Sequence, residues 1–237
     1  MDLFLLPEHV YLCPTCDGVV FLNLRDDKYI GVGGDELPYL RHWVRGWPLQ
    51  VTGTEFPELC ERGRLLACEL LKTGLLTADA SQGKSAGPPA IQDGQTSLFD
   101  LPQTPQGFSL GMLVRILYTA ALIASILKFR SLDAAINRIR RLRNSRAGRG
   151  STLSSARMAA LISTFRRVRP LVYSAQNRCL FDCLVLCNIL FGCGGFPILI
   201  IGVNTFPFKA HCWLQSGPVV LTDYPRITSD YVPILAV

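Results

Sequence analysis

The run from Leu180 to Phe191 constrains this chain most. It is almost continuously apolar, follows Arg178-Cys179 and closes on Gly192-Cys193-Gly194-Gly195, which predicts one buried helix with a glycine stop. Ser174 and Asn177 are cap-type residues just ahead of it, so Cys179 falls in the first turn. There, unpaired N–H groups and the helix dipole favour a thiolate over a thiol. Cys183 and Cys187 follow at i+4 and i+8 on the same face but deeper, where apolar burial raises a thiol's pKa and makes it inert. Electrostatics therefore single out Cys179.

A hairpin supplies two partners. Ile198 to Val203 is a β-branched run, Lys209 to Leu214 a second strand, and the turn Ser216-Gly217-Pro218 leads into a third, Val219 to Tyr224. With a three-residue loop centred on Gly217, partners across the hairpin sum to 434, which sets Gln215 opposite Val219, Trp213 opposite Leu221 and His211 opposite Asp223. Such neighbours have Cβ atoms about 4.5–5.5 Å apart, close enough for a carboxylate to hold an imidazole in the tautomer a general base needs. Each residue alone has a plain reading: a buried helix cysteine, a satisfied strand histidine, a turn aspartate. The combination is what points to a thiol hydrolase.

Cys179-Leu180, Gly202-Val203, Pro207-Phe208, Ala210-His211, Trp213 and Asp223 together resemble the signature of the B proteins of lasso-peptide biosynthesis. These are transglutaminase-like cysteine proteases that remove the leader from a precursor peptide. The resemblance covers roughly residues 108–237 and implies a catalytic triad of Cys179, His211 and Asp223. Cys183 and Cys212 depart from it, since small residues, often serine and alanine, are usual there. In the implied chemistry His211 takes the proton of Cys179, Asp223 orients His211, and a thioester forms and is hydrolysed. The oxyanion would be held by the Cys179 N–H and a second donor, for which Gln176 is a candidate.

The order of elements ahead of this region adds a second domain. His9 to Cys13, Gly18 to Leu24 and Lys28 to Val32 read as a three-stranded meander. Asp35 caps a helix stopped at Gly46-Trp47-Pro48, and Thr54 begins a helical pair, Glu55–Glu61 and Arg64–Thr73, broken at Gly63. Three strands followed by three helices resemble the winged-helix precursor-peptide recognition element fused ahead of some lasso proteases. That implies a leader-binding groove formed by Lys28, Tyr29, Ile30 and Val32 with Leu66 and Leu70, where the leader adds a strand to the sheet. Ala80 to Gly107 is rich in Ser, Gly, Pro and Gln and reads as a flexible linker. The expected architecture is α+β: residues 1–79 a winged-helix leader-recognition domain, 80–107 a linker, and 108–237 a papain/transglutaminase-like cysteine protease domain.

Phe108 to Phe129 is the most hydrophobic stretch. Its uncharged part, Ile116 to Leu127, reaches roughly 18 Å as a helix against a hydrocarbon core of about 30 Å, and Arg115 interrupts any longer version. A buried amphipathic helix is expected; membrane association is left open, but not as an integral span. Ser131 to Arg143 and Ser151 to Arg169 read as basic helices with their arginines outward.

Between Lys128 and Arg169 there are twelve Lys/Arg against the single acid Asp133, so this segment carries +11 and the rest of the chain −5. It lacks interleaved aromatics and any recognition motif, which argues against nucleic acid. Nine cysteines with one C-x-x-C pair, Cys13 and Cys16, make neither a disulfide framework nor a zinc site. No metal or cofactor is expected. Met1-Asp2-Leu3-Phe4 lacks the basic start of a signal peptide, and a cytoplasmic protein is expected. The partners implied by the resemblance are a precursor peptide, with leader and core, and an ATP-dependent cyclase resembling asparagine synthetase. Two alternatives stay open: an idle scaffold that delivers precursor to another enzyme, and an acyltransferase using the same Cys-His-Asp site.

Overall fold

The computed structural model describes residues 3–51, 56–100, 109–146, 153–174 and 178–237. Helices and strands are mixed, and the chain divides into two compact units. The first comprises Met1–Ala90 with Asn204–Phe208 and Val232–Leu235; the second comprises Ile91–Val203, Lys209–Tyr231 and Ala236–Val237.

In the first unit a short strand β1 (Leu6–Pro7) precedes an antiparallel meander of β2 (Val10–Thr15), β3 (Gly18–Asn23) and β4 (Lys28–Val32), in that spatial order. The Thr15↔Gly18 pairing leaves a two-residue turn at Cys16-Asp17. Between β3 and β4 the Asn23 carboxamide accepts from the Arg25 and Asp26 amides at 3.0 and 3.4 Å, and Asp27 takes the left-handed conformation at φ 51°. A polar side chain thus organises the turn locally. Leu12, Phe21, Leu37, Leu40, Trp47 and Leu70 belong to one core beneath the sheet.

The helices differ from the expected three. Leu37–His42 is a six-residue 3-10 turn, and Pro57–Lys72 is one continuous helix, α1. Thr54 and Glu55, where the helical pair was expected to start, lie outside the described residues. Gly63 does not break α1. A Cβ there would come within 3.0 Å of the Tyr39 Cβ, so glycine allows close approach of the helix to the 3-10 turn. That packing offsets the roughly 1 kcal/mol that an interior glycine costs a helix.

The stretch read as a linker also carries structure. Gly83–Lys84 forms β5, paired antiparallel with β1, and Ala86 is buried with its amide bonded to the Arg45 carbonyl at 2.8 Å. A Cβ on Gly83 would lie 2.6 Å from the Leu5 Cβ. Here small residues serve close backbone approach rather than flexibility. Further on, β6 (Thr96–Ser97) pairs in parallel with a later strand and runs into a 3-10 turn at Leu98–Asp100. Residues 101–107 lie outside the described residues.

The second unit then builds four helices: α2 (Leu110–Phe129), α3 (Leu132–Arg146), α4 (Ser155–Val168) and α5 (Cys179–Gly192). In chain order the strands β7 (Ile198–Thr205), β8 (Phe208–Ser216) and β9 (Val219–Val220), the short helix α6 (Pro225–Thr228) and β10 (Val232–Ala236) follow, of which Asn204–Phe208 and Val232–Leu235 belong to the first unit. Within the second unit the strand order is β7-β8-β9-β6. α5 is buried from Cys183 to Phe191, with α2, α3 and α4 packed against it.

Two expectations about the helices need correction. α2 buries one face, Met112, Ile116, Thr119, Ala120 and Ile123, and leaves the other exposed. Not all arginines of α3 point outward: Arg138 Nε donates to Asn188 Oδ1 of α5 at 2.9 Å, and Arg143 donates to the Pro197 carbonyl at 2.5 Å. A long guanidinium stem reaches inward past the apolar stripe and satisfies polar groups there.

Candidate active site

α5 starts at Cys179, with Arg178 as its N-cap residue and no side-chain capping bond. Asn177, an expected cap, and Gln176, the candidate oxyanion donor, lie outside the described residues. Just inside the helix, Asp182 accepts from Arg169 Nη1 at 2.7 Å and from Tyr173 Oη at 2.8 Å. Tyr173 also meets Phe181 edge-on at 5.1 Å. This half-buried knot ties the end of α4 to the first turn of α5, fixing the helix start where the thiol sits.

The hairpin register is one residue away from the expected one. Gln215 pairs with Val220 and Ser216 with Val219, so partners sum to 435 around a two-residue turn, Gly217-Pro218, with Gly217 at φ +55°. Continued as a regular ladder, this register would set Asp223 opposite Cys212 rather than His211. β9 ends first. Thr222 Oγ1 accepts the Leu214 amide at 2.9 Å, and the chain leaves the ladder. Beyond that departure Asp223 Oδ2 lies 2.7 Å from His211 Nε2.

Asp223 is held from two further directions. The Tyr224 amide donates to its Oδ1 at 2.9 Å, and the buried Ser97 hydroxyl donates to its carbonyl at 2.7 Å. Ser97 sits on β6, inside the supposed linker, and sequence reasoning missed it. A two-residue strand carries no alternation to detect. Phe99 lies edge-on to Tyr224 at 5.3 Å, which seats the same segment against the aspartate.

The imidazole of His211 is stacked on Trp213, with centroids 6.0 Å apart and planes at 19°, and lies 5.1 Å from the Tyr231 ring. Trp213 Nε1 donates to Gln215 Oε1 at 3.2 Å. A Cβ on Gly202 would come within 2.9 Å of the Tyr231 Cβ and 3.0 Å of the Trp213 ring. Only a residue without a side chain leaves room for both rings beside the histidine.

Electrostatics draw Cys179 and His211 together. The hydrogen bond to His211 lowers the Cys179 pKa; burial opposes this, and the Cys212 and Leu180 backbone amides assist it. The helix start, expected as the main cause, contributes through the Leu180 amide but comes after the histidine. Burial pushes His211 down, yet its bonds to Asp223 and Cys179 outweigh that and raise it to about 9. Burial likewise raises Asp223, but the His211 bond and the Tyr224 amide hold it below the usual carboxylate range. These directions favour a thiolate, an imidazolium and a carboxylate in line. With Nε2 engaged by Asp223, Nδ1 is the ring nitrogen left for the thiol.

The neighbouring thiols differ. Cys183 is buried and donates to the Cys212 carbonyl at 3.3 Å. Burial pushes both Cys187 and Cys212 far up.

Of the residues expected to line a leader groove, Lys28 is exposed, and Tyr29, Ile30 and Val32 are half-buried on β4, an edge of the three-stranded sheet. Tyr29 meets Phe208 edge-on at 5.5 Å within the same unit. Leu66 is half-buried against the core, whereas Leu70, only 4% exposed, belongs to the core itself. Leu70 therefore supplies core volume rather than a groove wall.

Helices packed on an antiparallel hairpin sheet, with cysteine at a helix start and histidine and aspartate at the hairpin, are consistent with a cysteine-protease-like or acyltransferase-like fold. Residues 120–236 match the transglutaminase-like superfamily, and the C-terminal half of the chain carries a domain of that superfamily. No curated protein and no solved structure matches the chain.

Proposed function

We propose that the protein is a cysteine endopeptidase that cuts a ribosomally made lasso precursor between leader and core. The observation that carries this reading is the line Cys179–His211–Asp223, in which the thiol is lowered and the imidazole raised to about 9. The Cys179 thiolate adds to the carbonyl at the leader–core junction, and the His211 imidazolium protonates the departing amine. A thioester to Cys179 remains. His211, now neutral, takes a proton from water, whose hydroxide displaces the thiolate. In this reading the Cys179 amide, at the start of α5, donates to the oxyanion.

In the same reading the first unit is a winged-helix-like recognition domain, and the leader docks as a further strand on β4, beside Lys28, Tyr29, Ile30 and Val32 with Leu66 of α1 behind. The freed core peptide passes to an ATP-dependent, asparagine-synthetase-like cyclase, and the protein acts in the cytoplasm. No phosphate-binding glycine loop is present in the sequence, which is consistent with a partner supplying the ATP chemistry.

The test is incubation of the full chain with the lasso precursor encoded beside its gene, followed by mass spectrometry. Leader and core separated with the mass of one added water support the reading, and Cys179→Ala abolishes the product. An amine adduct in place of water would identify an acyltransferase. Intact precursor bound but never cut would identify a scaffold.

A further inference from the structure

α2 is the one helix among the described residues long and apolar enough to cross a membrane, with mean hydropathy 2.0, yet 28% of its most apolar window is buried. Its exposed side is a continuous stripe. Leu110, Val114, Leu117, Tyr118 and Phe129 recur at helical spacing and are each 49–75% exposed. Ala121 and Ser125, also exposed, fill the stripe between them. From Leu110 to Phe129, twenty residues, the stripe is about 28 Å long at a rise of 1.5 Å per residue. Exposed apolar surface on that scale marks an interaction site.

Charge says what covers it. Lys128 and Arg130 stand exposed at the C-terminal end of the stripe. Along its flank a cavity of about 460 Å³ is lined by Leu122, Ile126 and Phe129 of α2, by Arg130 at its C-cap, and by Arg138 and Arg141 of α3, of which Arg141 is exposed while Arg138 Nε is turned to Asn188. A second copy of the chain would bring the same arginines face to face. An anionic lipid surface would accept the apolar stripe among its acyl chains and the cations among its phosphates, with Tyr118 and Phe129 at the boundary.

We propose that α2 lies along the surface of an anionic bilayer and holds the protein there. It does not cross. Met112, Ile116 and Ile123 pack its other side into the unit, against the helices that enclose α5, and a crossing would strip α5 of that cover. The contact is peripheral, reversible and weakened by salt, because exposed charges are screened over about 8 Å at physiological ionic strength.

The test is sedimentation of the full chain with vesicles of phosphatidylcholine alone or with one-third phosphatidylglycerol. Partitioning at least tenfold stronger onto the anionic vesicles is expected, falling as salt rises. The double substitution Val114→Glu with Leu117→Glu should weaken it at least tenfold, and Lys128→Gln with Arg141→Gln should remove the preference for anionic lipid. Circular dichroism melting checks the fold of each variant, and Tyr118→Glu, at the most open aromatic beside Phe129, replaces the double variant if that one unfolds. Equal binding to both vesicles, no binding, or binding indifferent to these substitutions overturns the proposal. So does a concentration-dependent dimer that Leu117→Glu converts to monomer, which would make the stripe an interface between copies.

Discussion

Asp223 reaches His211 at 2.7 Å although the two are not partners across the hairpin. The ladder stops at Val220, and Thr222 takes over the Leu214 amide. The aspartate is thus positioned by a break in the strand, which lets its carboxylate turn toward an imidazole that a regular strand would have placed out of register.

The first prediction concerns the alkaline limit of activity. His211 is raised to about 9 in part by Asp223, so the imidazolium that protonates the leaving amine persists up to that pH and is lost above it. Asp223→Asn removes the charge and should move the alkaline limb of kcat/KM downward, toward an ordinary imidazole near 6.5. An unchanged limb in this variant would mean that Asp223 does not set the histidine's charge. The pH profile of kcat/KM is the measurement.

Ser97→Ala should damage both stability and turnover. The serine hydroxyl is buried and donates to the Asp223 carbonyl, and a buried acceptor left without its donor costs about 1–3 kcal/mol. Thermal melting should fall accordingly, and kcat should drop more than KM rises, because the carboxylate loses its anchor. A variant that melts and turns over as the parent does would return β6 to the status of a passive connection.

Gly202→Ala should disturb the aromatic enclosure of His211. The new methyl would sit 2.9 Å from the Tyr231 Cβ and 3.0 Å from the Trp213 ring, and overpacking of this kind costs about 1–3 kcal/mol. Near-ultraviolet circular dichroism, which reports the Trp213 and Tyr231 environment, should change together with melting temperature and activity. An unaltered spectrum would show that the sheet yields without moving either ring.

What could be read from the sequence followed from residue chemistry, and what escaped it depended on turns and on burial. The apolar run after Cys179 could only be a buried helix, and strands with β-branched runs begin at Gly18, Lys28 and Ile198 as expected. The choice of His211 and Asp223 rested on type and spacing, but the register argument behind it was off by one. Nothing local distinguishes a two-residue Gly217-Pro218 turn from a three-residue one. Gly63 reads as a helix break, and Gly83 and Ala86 fall within the stretch 80–107 that reads as a flexible linker, while the fold uses their small size. Hydropathy recognised α2 as apolar but could not tell which of its faces would find partners.

The proposed chemistry rests on the charge state of Cys179, which the pH dependence of its alkylation by iodoacetamide, with peptide mapping of each labelled cysteine, reports. Exposed Cys16 and buried Cys183 provide the internal comparison. Labelling of Cys179 is expected to inflect below the ordinary thiol value of about 8.5, because the His211 bond lowers it, with little label on buried Cys183. In His211→Ala the inflection should move up toward the ordinary thiol value of about 8.5, with the rate at pH 7 falling on the order of tenfold. Labelling of Cys179 that rises only near pH 8.5 in the parent protein, or faster labelling of Cys183, would contradict the thiolate–imidazolium pair and with it the choice of nucleophile.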